Sequence, residues 1–322
     1  MTGRRLAWFV GRRLVALALL LLGLSFLIFS LMYLAPGSPE QVLLGARPAS
    51  PELVASLRAR FHLDEPFLEQ YRLWLTGALH FDFGESARTG RSVTETIEAK
   101  LGMTAFLVLY ASLVAVLAGI PLGVLAAVRK RTLVDRGIVG LSVLGVSAPA
   151  FVTGIVLLYV FAVQLGWFPT YGSGSGFADR LWHLTLPALA LALTALALVV
   201  KLTRTAMAEV LDQDYVAFAL ARGVPLRRVL VHHALRNALV PIVTVSGAVL
   251  TVVLTGTLLV ESTFALPGIG TLLVNAVQDK DVPMLQAVAL LLAAVIVLVN
   301  LAVDVIYTLI DPRIAYGEAA RS

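Results

Sequence analysis

The chain has 322 residues, 59% of them hydrophobic and 14% charged, against about 45–50% and 25% in ordinary globular domains. With a mean hydropathy of +0.89, a water-soluble fold of this size cannot bury so much apolar side chain, which excludes a soluble enzyme and a disordered chain; the absence of cysteine excludes a disulfide scaffold and thiolate metal sites. The net charge of +5 acquires meaning only from where the charges lie.

Charge-free stretches set out the elements in chain order. After a short N-terminal segment, 1–13, with Arg4, Arg5, Arg12 and Arg13, the run 14–34 makes a first span. At about 20 residues it exceeds the 7–15 of a leader's apolar region, and no small-x-small cleavage site follows at Tyr33–Gly37, so it reads as an anchor. Segment 35–100 is the only sizeable polar stretch. It opens with the turn signal Pro36-Gly37-Ser38-Pro39. Ser50 reads as an N-cap with Pro51 at the first helical position, followed by Leu53, Val54, Leu57 and Phe61 at helical spacing. A second helix is expected from Pro66 to Leu75, with Phe67, Tyr71, Trp74 and Leu75 on one face and Gly77 closing it. Both helices are expected to lie on the membrane surface, where they can also serve as a docking surface for an external partner.

The core, 101–310, holds the other five spans. Leu101–Val128 is the second and carries Gly119-x-x-x-Gly123, a small-residue face for close helix packing. The third runs from Gly137 to about Val163, and Gly172–Gly176 is a flexible connection. Leu181–Val200 is the fourth, Asn237–Val260 the fifth and Val282–Val303 the sixth. Each is about 20 residues or longer, as about 30 Å of hydrocarbon requires at 1.5 Å per residue. The loop Glu261–Asp281 contains Phe264-Ala265-Leu266-Pro267-Gly268-Ile269-Gly270, a turn that can carry backbone back into the membrane where protein buries it. The loop 201–236 holds six basic residues, yet keeps Tyr215, Val216, Phe218 and Ala219 together before the Gly223 and Pro225 break. Such a surface calls for a protein cover. A C-terminal segment, 311–322, completes the chain.

Orientation follows from the basic residues. Both termini, the 129–136 segment and the 201–236 loop together carry sixteen Lys/Arg and six Asp/Glu, net +10; the opposite side carries nine and thirteen, net −4. The first side is therefore cytoplasmic, and the basic character is a membrane-topology signal, not a nucleic-acid one. Chemistry-bearing groups are few. His62, His80 and His183 are isolated, and the adjacent His232 and His233 point about 100° apart on a helix, so no metal site is expected. No Gly-x-x-x-x-Gly-Lys-Ser/Thr cradle occurs. Asp304 is the one carboxylate inside an apolar run, near its cytoplasmic end; a helix-end hydrogen-bonding role is weighed against an ion relay, for which the spans supply no partners.

Several ordered motifs carry a resemblance. These are Ala35-Pro36-Gly37-Ser38-Pro39, His62–Tyr71 with Asp82-Phe83-Gly84, and Leu202-Thr203-Arg204. They continue with Asp214-Tyr215-Val216-x-x-Ala219-x-Ala221-Arg222-Gly223, His233–Pro241, Glu261-x-x-Phe264-x-x-Pro267-Gly268-Ile269-Gly270, and Asp304 with Asp311-Pro312-Arg313. Together they resemble, over nearly the whole length, the B-type permease subunits of dipeptide/oligopeptide ABC importers. The broader hallmark Glu-Ala-Ala-x-x-x-Gly falls on Ala217, Phe218, Ala219 and Gly223, keeping its third and last positions; the Asp-Tyr-Val variant tilts the substrate towards peptides.

The resemblance implies an all-α integral membrane protein with six spans, the type I ABC importer permease fold and both termini cytoplasmic in a bacterial inner membrane. It implies a non-catalytic half of a translocation pathway. Asp214, Tyr215, Ala217, Ala219, Arg222 and Gly223, within a coupling helix Asp212–Gly223, would meet the ATPase. Glu261, Phe264, Pro267, Gly268 and Gly270 would form a gate or pathway turn. The implied partners are a second homologous permease, two ATPase subunits that bind ATP and Mg, an extracytoplasmic binding protein and membrane lipid. Nickel, glutathione or oligosaccharide importers share the pattern, and an ion-coupled secondary transporter is the alternative of a different class.

Overall fold

A computed structural model describes residues 3–34, 37–44, 50–230 and 235–310. Pro36, His232, His233 and Asp311-Pro312-Arg313, quoted above for the turn, the histidine pair and the closing motif, lie outside them. The described elements are helical, apart from an isolated bridge between Glu85 and Ser92. In chain order they are α1 (Gly3–Leu34), α2 (Pro39–Leu44), α3 (Pro51–Phe61), α4 (Phe67–Leu79), α5 (Val93–Val128), α6 (Leu133–Ser147) and α7 (Ala150–Leu157). There follow α8 (Gly176–Leu211), α9 (Asp214–Ala221), the single turn α10 (Leu226–Arg228), α11 (Leu235–Thr263), α12 (Ile269–Gln278) and α13 (Val282–Ile310).

Among the described residues, Gly11–Leu34, Val93–Val128, Gly176–Leu211 and Val282–Ile306 are each long and apolar enough to cross a membrane. The third expected span is not one straight helix. It breaks into α6 and α7, bent by 102°, and α7 runs on as a π-helical stretch, Leu158–Gln164. The cause is Pro149. Ala148 before it takes an extended conformation, φ −98° and ψ 132°, as a residue preceding proline does, and Pro149 then caps α7. The fifth expected span lies within α11, whose section Gly247–Thr263 is a shorter apolar helix.

The chain forms two compact units, with the divisions falling inside α5, in the turn before α12 and inside α13. One unit holds residues 105–266 with 299–310; α8 is its central element, and Leu184, Leu186, Leu191, Ala195, Val199 and Met207 along it are almost fully buried. Gly119 and Gly123 of α5 face α8 as their spacing predicts. A methyl group added at Gly119 would meet Val199 at 2.6 Å, and one at Gly123 would meet Thr203 at 2.6 Å and the Val200 carbonyl at 2.9 Å. Only glycine permits that approach.

The other unit holds residues 3–104 with 267–298. Here α3 begins as read from sequence: the Ser50 side chain accepts the Leu53 N–H, with Pro51 in the first turn. The second polar-segment helix differs from its expected form. It runs to Leu79, and Gly77 lies inside it because the Asp82 carbonyl comes within 2.7 Å of where a methyl group would sit. Its aromatic face packs on α1 instead of on lipid. Phe67, Tyr71 and Trp74 meet Phe26, Phe29 and Tyr33 with ring centroids 5.0–5.7 Å apart, and the Ser25 and Tyr71 hydroxyls are 2.8 Å apart. Rings that size bury 150–250 Å² each, so this cluster holds the polar segment to the first span.

Candidate functional site

The site is built at the far end of α8. That helix closes on Asp212, whose N–H bonds the Ala208 carbonyl, and the chain restarts as α9 with Gln213 extended at its N-cap. The expected coupling helix Asp212–Gly223 is thus shorter, Asp214–Ala221, and Asp212 is the C-cap of the preceding helix. Val216 is the side chain of α9 turned inward, 1% exposed. Tyr215, Phe218 and Leu220 stand out at 44%, 69% and 42% exposure, Asp214 and Ala217 are exposed and Ala219 is half-buried. An eight-residue helix too short to persist alone is held by that one buried valine and by its ends. At the far end the Gly223 N–H bonds the Leu220 carbonyl and the Val224 N–H bonds Ala219. Gly223 has φ +79°, which glycine adopts without strain, and open space where a side chain would be. Arg222 is exposed beside it.

Two ion pairs that sequence reasoning did not find anchor this end. Arg204, noted only within a motif, donates to Asp135 through Nε (2.5 Å) and Nη2 (2.8 Å). The Asp135 side chain is 5% exposed and that of Arg204 31%. Asp135 also accepts the Arg131 N–H at 2.9 Å, and Thr132 caps α6. Lys130 Nζ donates to Asp212 at 2.7 Å. All four residues lie just outside apolar runs, where nothing in the sequence pairs them. Their pairing is a property of helix packing, between positions 69 and 82 residues apart.

The predicted gate residues are described within two units. Glu261 and Phe264 belong to the α8-centred unit, Pro267, Gly268 and Gly270 to the other. Glu261 is fully buried, and Phe264, 3% exposed, packs on Gly154. The chain turns at Ala265, φ +50°, with the Leu266 N–H on the Glu261 carbonyl. Gly268 is the N-cap of α12, and the Ile269 N–H bonds the Thr104 hydroxyl at 2.8 Å. Asp304 is half-buried on α13, six residues before Ile310. No group of three His, Asp or Glu residues among the described residues is placed to hold a metal ion.

Residues 119–316 match the family described as binding-protein-dependent transport system inner membrane component, and residues 6–108 match that described as its N-terminal part. The chain is 40% identical to the probable peptide ABC transporter permease protein y4tP of Sinorhizobium fredii, over 96% of this chain and 99% of that one. It is 35% identical to the dipeptide transport system permease protein DppB of Escherichia coli, covering 96% and 98%. Among solved structures, an inward-facing MetNI methionine ABC transporter chain matches with a TM-score of 0.57 at 15% identity, over 67% of this chain and 96% of that one, a likeness of fold.

Proposed function

The chain belongs to the binding-protein-dependent transport system inner membrane component family, and from that premise we propose that it is the permease subunit of an ATP-driven importer of peptides in a bacterial inner membrane. It forms one half of the pathway, beside a homologous second permease. Two separate ATPase chains bind ATP and Mg and hydrolyse the nucleotide, and an external binding protein delivers substrate. The peptide assignment is supported by relatives named for peptides and dipeptides.

The observation that carries the mechanism is α9, a short helix with Tyr215, Phe218 and Leu220 exposed on a chain that has no phosphate cradle of its own. Asp214, Tyr215, Ala217 and Ala219 present this helix to an ATPase groove, with Arg222 at the rim and Gly223 letting the chain turn away. ATPase closure displaces α9, and α8 carries the displacement into the bundle, so that access alternates between the two sides. The turn Glu261–Gly270 serves as a gate or pathway element, and Asp304 as a helix-end hydrogen-bonding group.

The test is Phe218→Asp in the four-subunit assembly with its binding protein. An exposed aromatic anchor is worth about 2 kcal/mol, about 30-fold in affinity. The variant is expected to pair with the second permease, lose co-purification with the ATPase and lose peptide uptake. Normal uptake and normal ATPase retention would exclude α9 as the docking element. Stimulation of ATP hydrolysis by binding protein loaded with dialanine, with Ni²⁺ or with glutathione measures the substrate class on the same sample.

A further inference from the structure

Beyond the docking of α9 lies the question of what stops its displacement from being absorbed at the base of the bundle. α9 is joined to α8 by only Asp212 and Gln213, and α5 to α6 by the four-residue turn 129–132, which contains Arg131 at φ +68°. A push on α9 can in principle swing these turns and leave α6 in place. The two ion pairs close that route. Lys130–Asp212 ties the α5–α6 turn to the C-cap of α8. Eight residues back, about 12 Å along the helix axis, the bidentate Arg204–Asp135 pair ties α8 to the first turn of α6. Asp135 is held from three directions: by Arg204, by the Arg131 N–H and through the Thr132 cap.

Between the two pairs the α5–α8 interface is apolar. Met207 of α8 and Ala127 of α5 are buried together, with Ile120, Val124 and Leu211 around them. Just above, the Gly123–Thr203 approach leaves no room to slide. Asp135 is the one buried charge of the four; a buried carboxylate is costly unless it is paired, and a fork-on-carboxylate contact fixes direction as well as distance.

We infer that the Asp135–Arg204 pair, with Lys130–Asp212 as its outer point, is a clamp that makes α6 and α8 move as one body when α9 is displaced. Motion then reaches the Ala148–Pro149 break, where α6 gives way to α7. Asp135 and Arg204 are positioning residues and touch neither substrate nor nucleotide. This rests on α9 being the element the ATPase moves.

The test uses the complete importer in proteoliposomes, with tritiated dialanine uptake and ATP hydrolysis measured on the same vesicles. Asp135→Asn, Arg204→Gln and the double variant are compared with wild type. Uptake per ATP hydrolysed is expected to fall about tenfold, within the range for coupling between sites, while the four subunits still co-purify and ATP is still hydrolysed. The double variant is expected to be no worse than either single one, because the two residues act as a unit. Arg204→Lys, which keeps the charge but not the fork, is expected to fall between. A wild-type ratio in all variants overturns the clamp, as do single losses that multiply in the double variant. Should the Asn and Gln variants fail to assemble, Arg204→Lys decides alone: a lowered ratio supports the clamp and a wild-type ratio overturns it. Phe218→Asp is run alongside: if it loses uptake while the clamp variants keep the wild-type ratio, the clamp falls and the docking assignment stands.

Discussion

Asp281 shows how a single side chain organises the polar segment. It is 4% exposed at the start of α13, and its carboxylate accepts the Ser86 hydroxyl and, at 3.2 Å, the Ala87 N–H. Ser86 in turn accepts the Thr89 N–H at 2.9 Å. A turn 194 residues away in sequence is thereby held to α13. Hydrogen bonds to a charged group are worth about 1.5–3 kcal/mol, so Ser86→Ala should lower the melting temperature of the detergent-purified importer by several degrees, read by tryptophan fluorescence. An unchanged melting temperature would mean that the contact contributes nothing. At this scale the sequence was informative where chemistry is local. The Ser50 cap could be read because its partner is three residues away; Asp281 and Asp135 could not, because their partners are far along the chain.

At the scale of elements, apolar length located the helices and glycine spacing located one interface. The Gly119/Gly123 face meets α8 as read from the sequence, and Gly123→Leu should be disruptive because the nearest obstacle includes the Val200 backbone carbonyl. Overpacking of this kind costs about 1–3 kcal/mol, so the expected result is reduced thermal stability of the purified permease pair, with Gly137→Leu, which has open space around it, as the control that stays near wild type. Equal stability of the two variants would show that the α5–α8 approach does not limit packing. Besides the shortened α9, two elements departed from their expected form. Hydropathy averages over Pro149, so a 102° bend was invisible in it. For α4, an aromatic stripe reads equally well as facing lipid or protein, and only the presence of Phe26, Phe29 and Tyr33 opposite decides between them.

For the whole molecule, the asymmetry of charge across the spans carries its own prediction. The chain lacks cysteine, so single introduced thiols report without background. Thr2→Cys and Ser322→Cys should be protected from a membrane-impermeant maleimide in intact cells, whereas Ser56→Cys and Ser173→Cys should be labelled. The reverse pattern would invert the orientation derived from the +10 and −4 sides.

The sequence by itself determined the solvent, the helical class and, through ordered motifs, the family, and its basic-residue bias sets the expected orientation. Each depends on quantities summed along the chain: apolar length, basic-residue bias and residue spacing. Tertiary structure alone decided that α9 turns only Val216 inward, that the predicted gate residues divide between two compact units, and that Asp135 meets Arg204. Those outcomes depend on which helix faces which, and a pairing between residues 69 apart leaves no local mark, because its energy exists only once both helices are packed.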